Sequence, residues 1–139
     1  MSITAEQERL IREKFEVNHF PRYLGFELDQ VEPGRARLGV EVRRELLQLQ
    51  GVMHGGAIAS LIDTAVAFAI VGSSKSGSRF TTVEMKVNYL KPIRSGRVVA
   101  NARVIRDGKR IVVAECDVLD SDGSLAAKGL LTYIRLDQE

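Results

Sequence analysis

The alternation of hydrophobic and polar residues predicts, in chain order, a helix, two short strands, one long helix and four further strands. Near the N-terminus, apolar side chains recur at helical spacing, and Thr4 with Gln7 three residues later forms a capping-box pattern. A first helix is therefore predicted within residues 1–18. We expect it to end before the HFPR segment, because residues that precede proline avoid helical angles.

The most hydrophobic segment of the chain is interrupted by a single charge. Almost every side chain from Ala57 to Ile70 is small or apolar, which predicts a largely buried central helix over residues 55–72. Asp63 lies in its middle, with no basic residue within one turn on its face. Burying a lone carboxylate costs several kcal/mol. We therefore interpret Asp63 as functional rather than as a solvated surface residue.

Strand patterns occupy most of the remaining sequence. Residues 23–42 predict two short strands joined at Pro33-Gly34, and four further strands are predicted at 80–90, 96–106, 109–119 and 124–136. Asp107-Gly108 is a favoured tight hairpin turn. This order predicts an α+β fold, with one antiparallel sheet wrapped around the 55–72 helix in a single domain of residues 1–139. Because one chain is too short to enclose this helix, we expect a homodimer.

Composition and charge narrow the function classes. The net charge of +2, from 20 basic and 18 acidic residues, is too balanced for a nucleic-acid-binding protein. The charged start of the chain is not a secretory signal, and no apolar run reaches the ~18 residues of a membrane span, so we expect a cytoplasmic protein with no membrane partner. Cys116, the single cysteine, cannot form an internal disulfide; strand periodicity places it in the core, not as a nucleophile. His19 and His54 form no metal-ligand pattern with the acidic residues.

The start of the central helix has the features of an oxyanion site. Gly55 and Gly56 lie where backbone amides lack internal partners and the helix dipole is positive, although a simple tight turn is an equally good interpretation. Gly55 and Asp63 are eight residues apart, or roughly 12 Å along a helix. One helix cannot bring both to the same carbonyl. If both are catalytic, the active site spans two antiparallel subunits.

Two segments resemble a known family. QLQGVMHGGAIASLIDTA followed by TTVEMKVNYLKPIRSG is similar to the PaaI-like (phenylacetic acid degradation-type) branch of the hotdog-fold acyl-CoA thioesterases, and the resemblance extends from HFPRYLGFEL to GLLTYIRL. It implies the hotdog fold, a dimer that often forms a tetramer, and hydrolysis of an acyl- or aryl-CoA thioester. It implies no metal and no cofactor other than the coenzyme A of the substrate.

The resemblance also implies roles for individual residues. Asp63 corresponds to the nucleophile or general base, and Gly55 to the glycine whose N–H polarises the thioester carbonyl. Gln48 lies where relatives hold Asn, more commonly, or Gln. His54 either braces the Gly55 loop or takes part in catalysis. The catalytic hydroxyl corresponds to Thr82, although strand parity would instead favour Thr81.

Substrate binding is expected to involve basic residues after the third predicted strand and at the hairpin that follows the fourth. Coenzyme A carries phosphates, so basic residues near the turns are candidates: Lys91, Arg94, Arg97, Arg106, Lys109 and Arg110. Gly56, Thr81 and Tyr89 are further candidates for contact with the substrate.

Two alternative functions remain open on the same fold. A non-catalytic acyl-CoA sensor is one, although no DNA-binding segment accompanies it. A hydroxyacyl dehydratase is the other, because HFP at 19–21 resembles a dehydratase motif. His19, however, lies 35 residues before His54, and the central helix offers Asp where dehydratases hold Glu. The acyl group, phenyl-type or medium-chain, is left open.

Overall fold

The computed structural model describes residues 2–136, so Met1 and residues 137–139 of the predicted 1–139 domain lie outside the described residues. The helices are α1 (Ala5–Glu16), α2 (His19–Tyr23) and α3 (Gly55–Ser73), with a 3-10 turn at Arg44–Leu46. The strands are β1 (Glu27–Glu32), β2 (Arg35–Glu41), β3 (Phe80–Tyr89), β4 (Arg97–Asp107), β5 (Ile111–Leu119) and β6 (Leu125–Arg135).

Two predictions for the N-terminal segment are confirmed, and a short second helix that was not predicted follows it. The capping box is present: Thr4 Oγ1 accepts from the Gln7 N–H at 3.0 Å, and Gln7 Oε1 accepts from the Thr4 N–H at 2.7 Å. Helix α1 ends at Glu16, before the HFPR segment, as predicted. The HFPR segment is itself helical. It forms α2, because Pro21 lies in the first turn, where a backbone N–H has no partner to lose.

The six strands form one antiparallel curved sheet in the order β1-β2-β4-β5-β6-β3, and α3 packs against it as the single long central helix. The predicted fold class is confirmed. Leu61, Ile62 and Val66 of α3 are fully buried. The helix approaches β6 closely at Gly129, where an added Cβ would lie 2.8 Å from Ile62 Cγ2.

The β4–β5 hairpin differs from the sequence prediction. The turn is centred on Lys109 and Arg110, with Gly108 N–H donating to the Ile111 carbonyl at 2.9 Å, and Asp107 pairs with Val112 inside the ladder. The predicted Asp107-Gly108 turn is therefore wrong. An irregularity between Val104 and Arg106 shifts the register of β4 by one residue next to this turn.

Strand β3 forms one edge of the sheet, and its apolar residues are only partly covered. Val83 is 58% exposed and Tyr89 is 53% exposed, although both belong to the apolar series of this strand. On α3, the neighbouring residues Ser60, Asp63 and Ala67 are only half-buried. The edge strand and this helix face together form a partly apolar surface that the chain does not cover itself.

Helix α3 is long and apolar enough to cross a membrane by length and composition alone. Half of its most hydrophobic window is nevertheless buried inside the fold, as in the core helix of a globular domain.

Candidate active site

The Asp63 carboxylate is held by hydroxyl groups rather than by a cation. Thr82 Oγ1 donates to Asp63 Oδ1 at 2.9 Å, and Tyr133 OH donates to the same oxygen at 2.6 Å. The Tyr133 hydroxyl also lies 2.9 Å from the Asp63 backbone carbonyl. Within residues 2–136, Oδ2 makes no hydrogen bond. One oxygen of the carboxylate is thus anchored and the other is left available for chemistry.

Strand register explains why these hydroxyls meet. Thr82 on β3 pairs directly with Tyr133 on β6, and both side chains point towards α3. A bulge between Thr82 and Glu84 changes the parity of the strand, so Thr81 is exposed and makes no contact with Asp63. Of the two candidate threonines, the structure brings Thr82 and not Thr81 to the carboxylate.

Tyr133 is a site residue that the sequence reasoning missed. Burial, and secondarily the adjacent negative charge of Asp63, raise the pKa of the Tyr133 hydroxyl far above its ordinary value. The group therefore remains a protonated donor at neutral pH. A signal was present in the sequence: Tyr133 lies on the inward-facing side of the last strand, and a buried tyrosine hydroxyl needs a polar partner.

The first turn of α3 presents one uncommitted amide. His54 caps the helix: its Nδ1 accepts from the Gly56 N–H at 2.8 Å, and its carbonyl accepts from Ala57 N–H at 2.9 Å and Ile58 N–H at 3.2 Å. Among the described residues, no acceptor faces the Gly55 N–H. Of the amides in this positively polarised turn, the one at Gly55 is thus left for a ligand.

Tyr89 fixes this helix start from the neighbouring strand. Its hydroxyl donates to the Gly55 carbonyl at 2.9 Å, and an added Cβ at Gly55 would lie 3.3 Å from the tyrosine ring. Since Thr82 contacts Asp63 and Tyr89 contacts Gly55, β3 follows the N-terminal half of α3 in the opposite direction. Gly55 and Asp63 remain eight residues apart on one continuous helix, or roughly 12 Å.

Gln48 is not brought to either group. Its side-chain oxygen accepts from the Gln50 N–H inside its own loop, and it makes no hydrogen bond to Gly55 or Asp63 in residues 2–136. Together with Arg44 and His54 it lines an open depression beside the helix start. The catalytic role of Gln48 stays a prediction.

The basic candidates for phosphate contact fall into different environments. Lys91 pairs with Asp120 at 2.7 Å, and Arg97 bridges Glu27 and Asp29. Their charges are already largely neutralised. Arg94, Arg106, Lys109 and Arg110 are exposed and have no ion-pair partner within the described part of the chain.

These four residues also lie at two different ends of α3. Arg94 follows Ile93, whose carbonyl accepts a hydrogen bond from the Met53 N–H just before the start of α3. Arg106, Lys109 and Arg110 surround Asp107, which contacts Ser73 at the helix end. One site cannot use both groups from a single subunit.

Cys116 is buried in the core, as expected. Its burial raises the pKa of the thiol well above the ordinary value, which keeps it protonated and unreactive. Among residues 2–136, no group of three His, Cys, Asp or Glu side chains is arranged to hold a metal ion.

Comparison with known proteins agrees with this architecture. A model of the thioesterase superfamily matches residues 50–127, which include Gly55, Asp63 and Thr82. The medium/long-chain acyl-CoA thioesterase YigI of Salmonella typhimurium is 32% identical over 150 aligned positions, covering 95% of this chain and 96% of that protein.

Solved structures show the same fold. Thioesterase HI1161 from Haemophilus influenzae superposes with a TM-score of 0.86 at 26% identity, covering 97% of this chain and 93% of that one. The PaaI protein of the Escherichia coli phenylacetic acid degradation operon superposes with a TM-score of 0.87 over 95% and 94% of the two chains. Its identity is 22%, so it supports the fold alone. The predicted resemblance to hotdog thioesterases is confirmed.

Proposed function

Since the chain belongs to the thioesterase superfamily and is a thioester hydrolase, we propose that it cleaves acyl-CoA thioesters to the free acid and coenzyme A, with Asp63 as the reacting group. One observation carries this proposal. The Asp63 carboxylate is anchored through Oδ1 by Thr82 and Tyr133, while Oδ2 has no hydrogen-bond partner among the described residues. The relative YigI, which is named as an acyl-CoA thioesterase and aligns over 96% of its length, supports the same substrate class.

The chemistry follows from the uncommitted carboxylate oxygen. As a general base, Asp63 Oδ2 takes a proton from water while the water oxygen attacks the thioester carbonyl carbon. The tetrahedral intermediate then expels the thiolate of coenzyme A, which takes up the proton. As a nucleophile, Oδ2 would attack the same carbon, form an anhydride and release the thiolate before water regenerates the carboxylate. Both routes need only Asp63, water and an oxyanion donor.

We assign the oxyanion donor to the Gly55 N–H of a second subunit. The roughly 12 Å between Gly55 and Asp63 excludes their action on one carbonyl within a chain. The half-buried face of α3 and the exposed apolar residues of edge strand β3 offer a surface for a symmetric partner. An antiparallel pair of α3 helices would then place Gly55 of each subunit beside Asp63 of the other.

The alternatives fit the site less well. A dehydratase would need a histidine beside the acidic residue, but His19 is exposed at the start of α2 and makes no contact with Asp63. A non-catalytic acyl-CoA sensor would have no use for a carboxylate positioned by two hydroxyl donors with its second oxygen unengaged.

The test is Asp63→Asn, assayed by release of free thiol from acyl-CoA substrates. Asparagine can accept the same two hydrogen bonds through its carbonyl oxygen, so we expect the fold to persist. It cannot serve as base or nucleophile, so kcat should fall by about 10²- to 10⁴-fold. Asp122→Asn, in an exposed turn, is the matched control and should retain full activity. Wild-type turnover by folded Asp63→Asn would refute the assignment.

A further inference from the structure

A cavity of about 250 Å³ lies between α1 and the C-terminal end of α3, outside the site described above. Its apolar wall comes from the residues before α1, both helices and the first residue of β3: Ile3, Leu10, Ile11, Val71 and Phe80. Polar side chains of α1 and of the loop after α3 surround the opening. The volume is below the roughly 300–1,000 Å³ of pockets that enclose whole ligands, so it suits only part of one.

Two observations relate the position of the cavity to the Asp63 carboxylate. Along α3, Val71 follows Asp63 by eight residues, roughly 12 Å along the axis and about 80° around it, and the half-buried Ala67 lies between them with a small apolar side chain. Across the sheet, the Phe80 ring packs on Tyr133 with centroids 5.8 Å apart, and Tyr133 donates to Asp63. The cavity therefore lies about two helical turns from Asp63, where α3 and β3 meet.

We propose that this cavity receives the distal end of a medium-length, straight acyl chain whose thioester carbonyl lies at Asp63, and that α1 sets the upper limit of chain length. The inference rests on the proposed acyl-CoA hydrolysis. The cavity lining also includes Lys14 and Lys75, but its apolar wall suits the acyl tail rather than a phosphate of coenzyme A. An aromatic acyl group as short as phenylacetyl ends before Val71 and leaves the cavity unused.

The first measurement is kcat/KM for acetyl-, butyryl-, octanoyl-, decanoyl- and phenylacetyl-CoA. Each methylene that enters an apolar cavity adds about three- to fourfold to kcat/KM through transition-state binding. We expect kcat/KM to rise steeply from butyryl- to decanoyl-CoA and phenylacetyl-CoA to remain near the short-chain values. Equal kcat/KM values along the straight-chain series would overturn the proposal while leaving thioester hydrolysis intact.

The second measurement fills the cavity from α1. Leu10→Trp should lower kcat/KM for decanoyl-CoA at least about tenfold, the equivalent of two or three excluded methylenes, and leave acetyl- and butyryl-CoA unchanged. Ile105→Trp is the control, because Ile105 is 49% exposed, as Leu10 is at 47%, but lies outside the cavity. An equal loss for every chain length would contradict a tail site. If Leu10→Trp does not fold, Val71→Phe fills the cavity from α3.

Binding to the inactive protein separates the two proposals. If no acyl-CoA is hydrolysed, the proposed function fails, but the cavity can still be tested with Asp63→Asn and decanoyl-CoA. We expect Asp63→Asn to bind decanoyl-CoA at least about tenfold more tightly than Asp63→Asn/Leu10→Trp, and to bind acetyl-CoA equally in both backgrounds. Equal affinities for decanoyl-CoA would rule out the tail site whatever the catalytic result.

Discussion

At the scale of single residues, the central question is how a carboxylate is tolerated in the most hydrophobic helix. Hydrogen bonds to a charged group contribute about 1.5–3 kcal/mol each, so the donors Thr82 and Tyr133 together offset several kcal/mol of desolvation at Asp63. Hydroxyl donors, unlike a lysine or arginine, anchor the carboxylate without neutralising it. This arrangement is compatible with the proposed role of Asp63 as base or nucleophile.

Tyr133 should make stability depend on alkaline pH. The folded protein holds the hydroxyl proton above the ordinary pKa of 10.0, whereas the unfolded chain releases it there. The stabilisation is complete below pH 10 and is lost as pH rises. Above pH 10, the free energy of unfolding of the wild type should fall more steeply than that of Tyr133→Phe, by about 1.4 kcal/mol per pH unit.

Guanidinium unfolding curves between about pH 9 and pH 11 would measure this difference. Tyr23→Phe is the matched control, since Tyr23 is 80% exposed and its removal should leave the wild-type slope unchanged. The buried Cys116 thiol also has a raised pKa, but it is present in both the wild type and Tyr133→Phe. The difference in slope between these two proteins therefore reports Tyr133 alone. Parallel curves for wild type and Tyr133→Phe would contradict the assigned role.

The sequence pointed to Asp63 and Thr82 but not to Tyr133, for a physical reason. Asp63 is conspicuous within its own helix because the surrounding residues are apolar. Tyr133 lies 70 residues further along the chain, and its contact with Asp63 depends on the pairing of β3 with β6 at Thr82. Local patterns predict which residues need partners, but register decides which partners they meet.

At the scale of elements, the start of α3 and the edge strand β3 form one unit. His54 occupies three of the first-turn amides, and Tyr89 holds the Gly55 carbonyl, so the Gly55 N–H is left at the positive end of the helix. An oxyanion at this position would gain a preformed donor that no protein group competes for.

Gly55→Pro tests this amide directly, because proline removes the N–H without removing the helix. Proline is favoured at the first helical position, and His54 already has the extended angles, φ −62° and ψ 134°, that a residue before proline requires. We expect kcat to fall by about 10²- to 10³-fold. Gly55→Ala introduces the same Cβ contact with Tyr89 but keeps the N–H, so it should lose much less activity.

Thiol-release kinetics on both variants, with thermal unfolding to verify the fold, would measure the difference. Equal activity of the Pro and Ala variants would show that this N–H does not act on the substrate.

Element boundaries were predictable where periodicity is strong and were missed where one residue changes the register. The pattern that predicts a helix over 55–72 corresponds to α3 at Gly55–Ser73. The pairing of β4 with β5 places the hairpin turn two residues beyond its predicted position, and the bulge after Thr82 turned that residue inward. A bulge depends on the partner strand, so one strand's own sequence does not reveal it.

At the scale of the whole molecule, the proposed symmetric dimer would explain both the uncovered surface and the separation of Gly55 from Asp63. Strand β3 is an edge with exposed apolar residues, and the α3 face that carries Asp63 is only half-buried. A symmetric partner would cover both and would also bring in the second Gly55 amide. A monomer would leave the carboxylate without its oxyanion donor.

Mixing two inactive variants tests the divided site. In a heterodimer of Asp63→Asn and Gly55→Pro, one site carries both lesions and the other carries neither, because each site takes Asp63 from one subunit and Gly55 from its partner. Random exchange of equal amounts makes half of the dimers heterodimers, each with one intact site. Activity should therefore return to about a quarter of the wild-type value, if the two sites act independently.

The control is a mixture of Asp63→Asn with Thr82→Val, because Thr82 contacts Asp63 within one chain. A heterodimer of these two variants has a lesion in each site, so mixing should produce no site free of both lesions and no gain over the average of the two parents. Native mass spectrometry would verify subunit exchange in both mixtures. If heterodimers of Asp63→Asn and Gly55→Pro form and no activity returns, Gly55 and Asp63 do not act across the interface. The roughly 12 Å between them on α3 would then remove Gly55 from the reaction altogether.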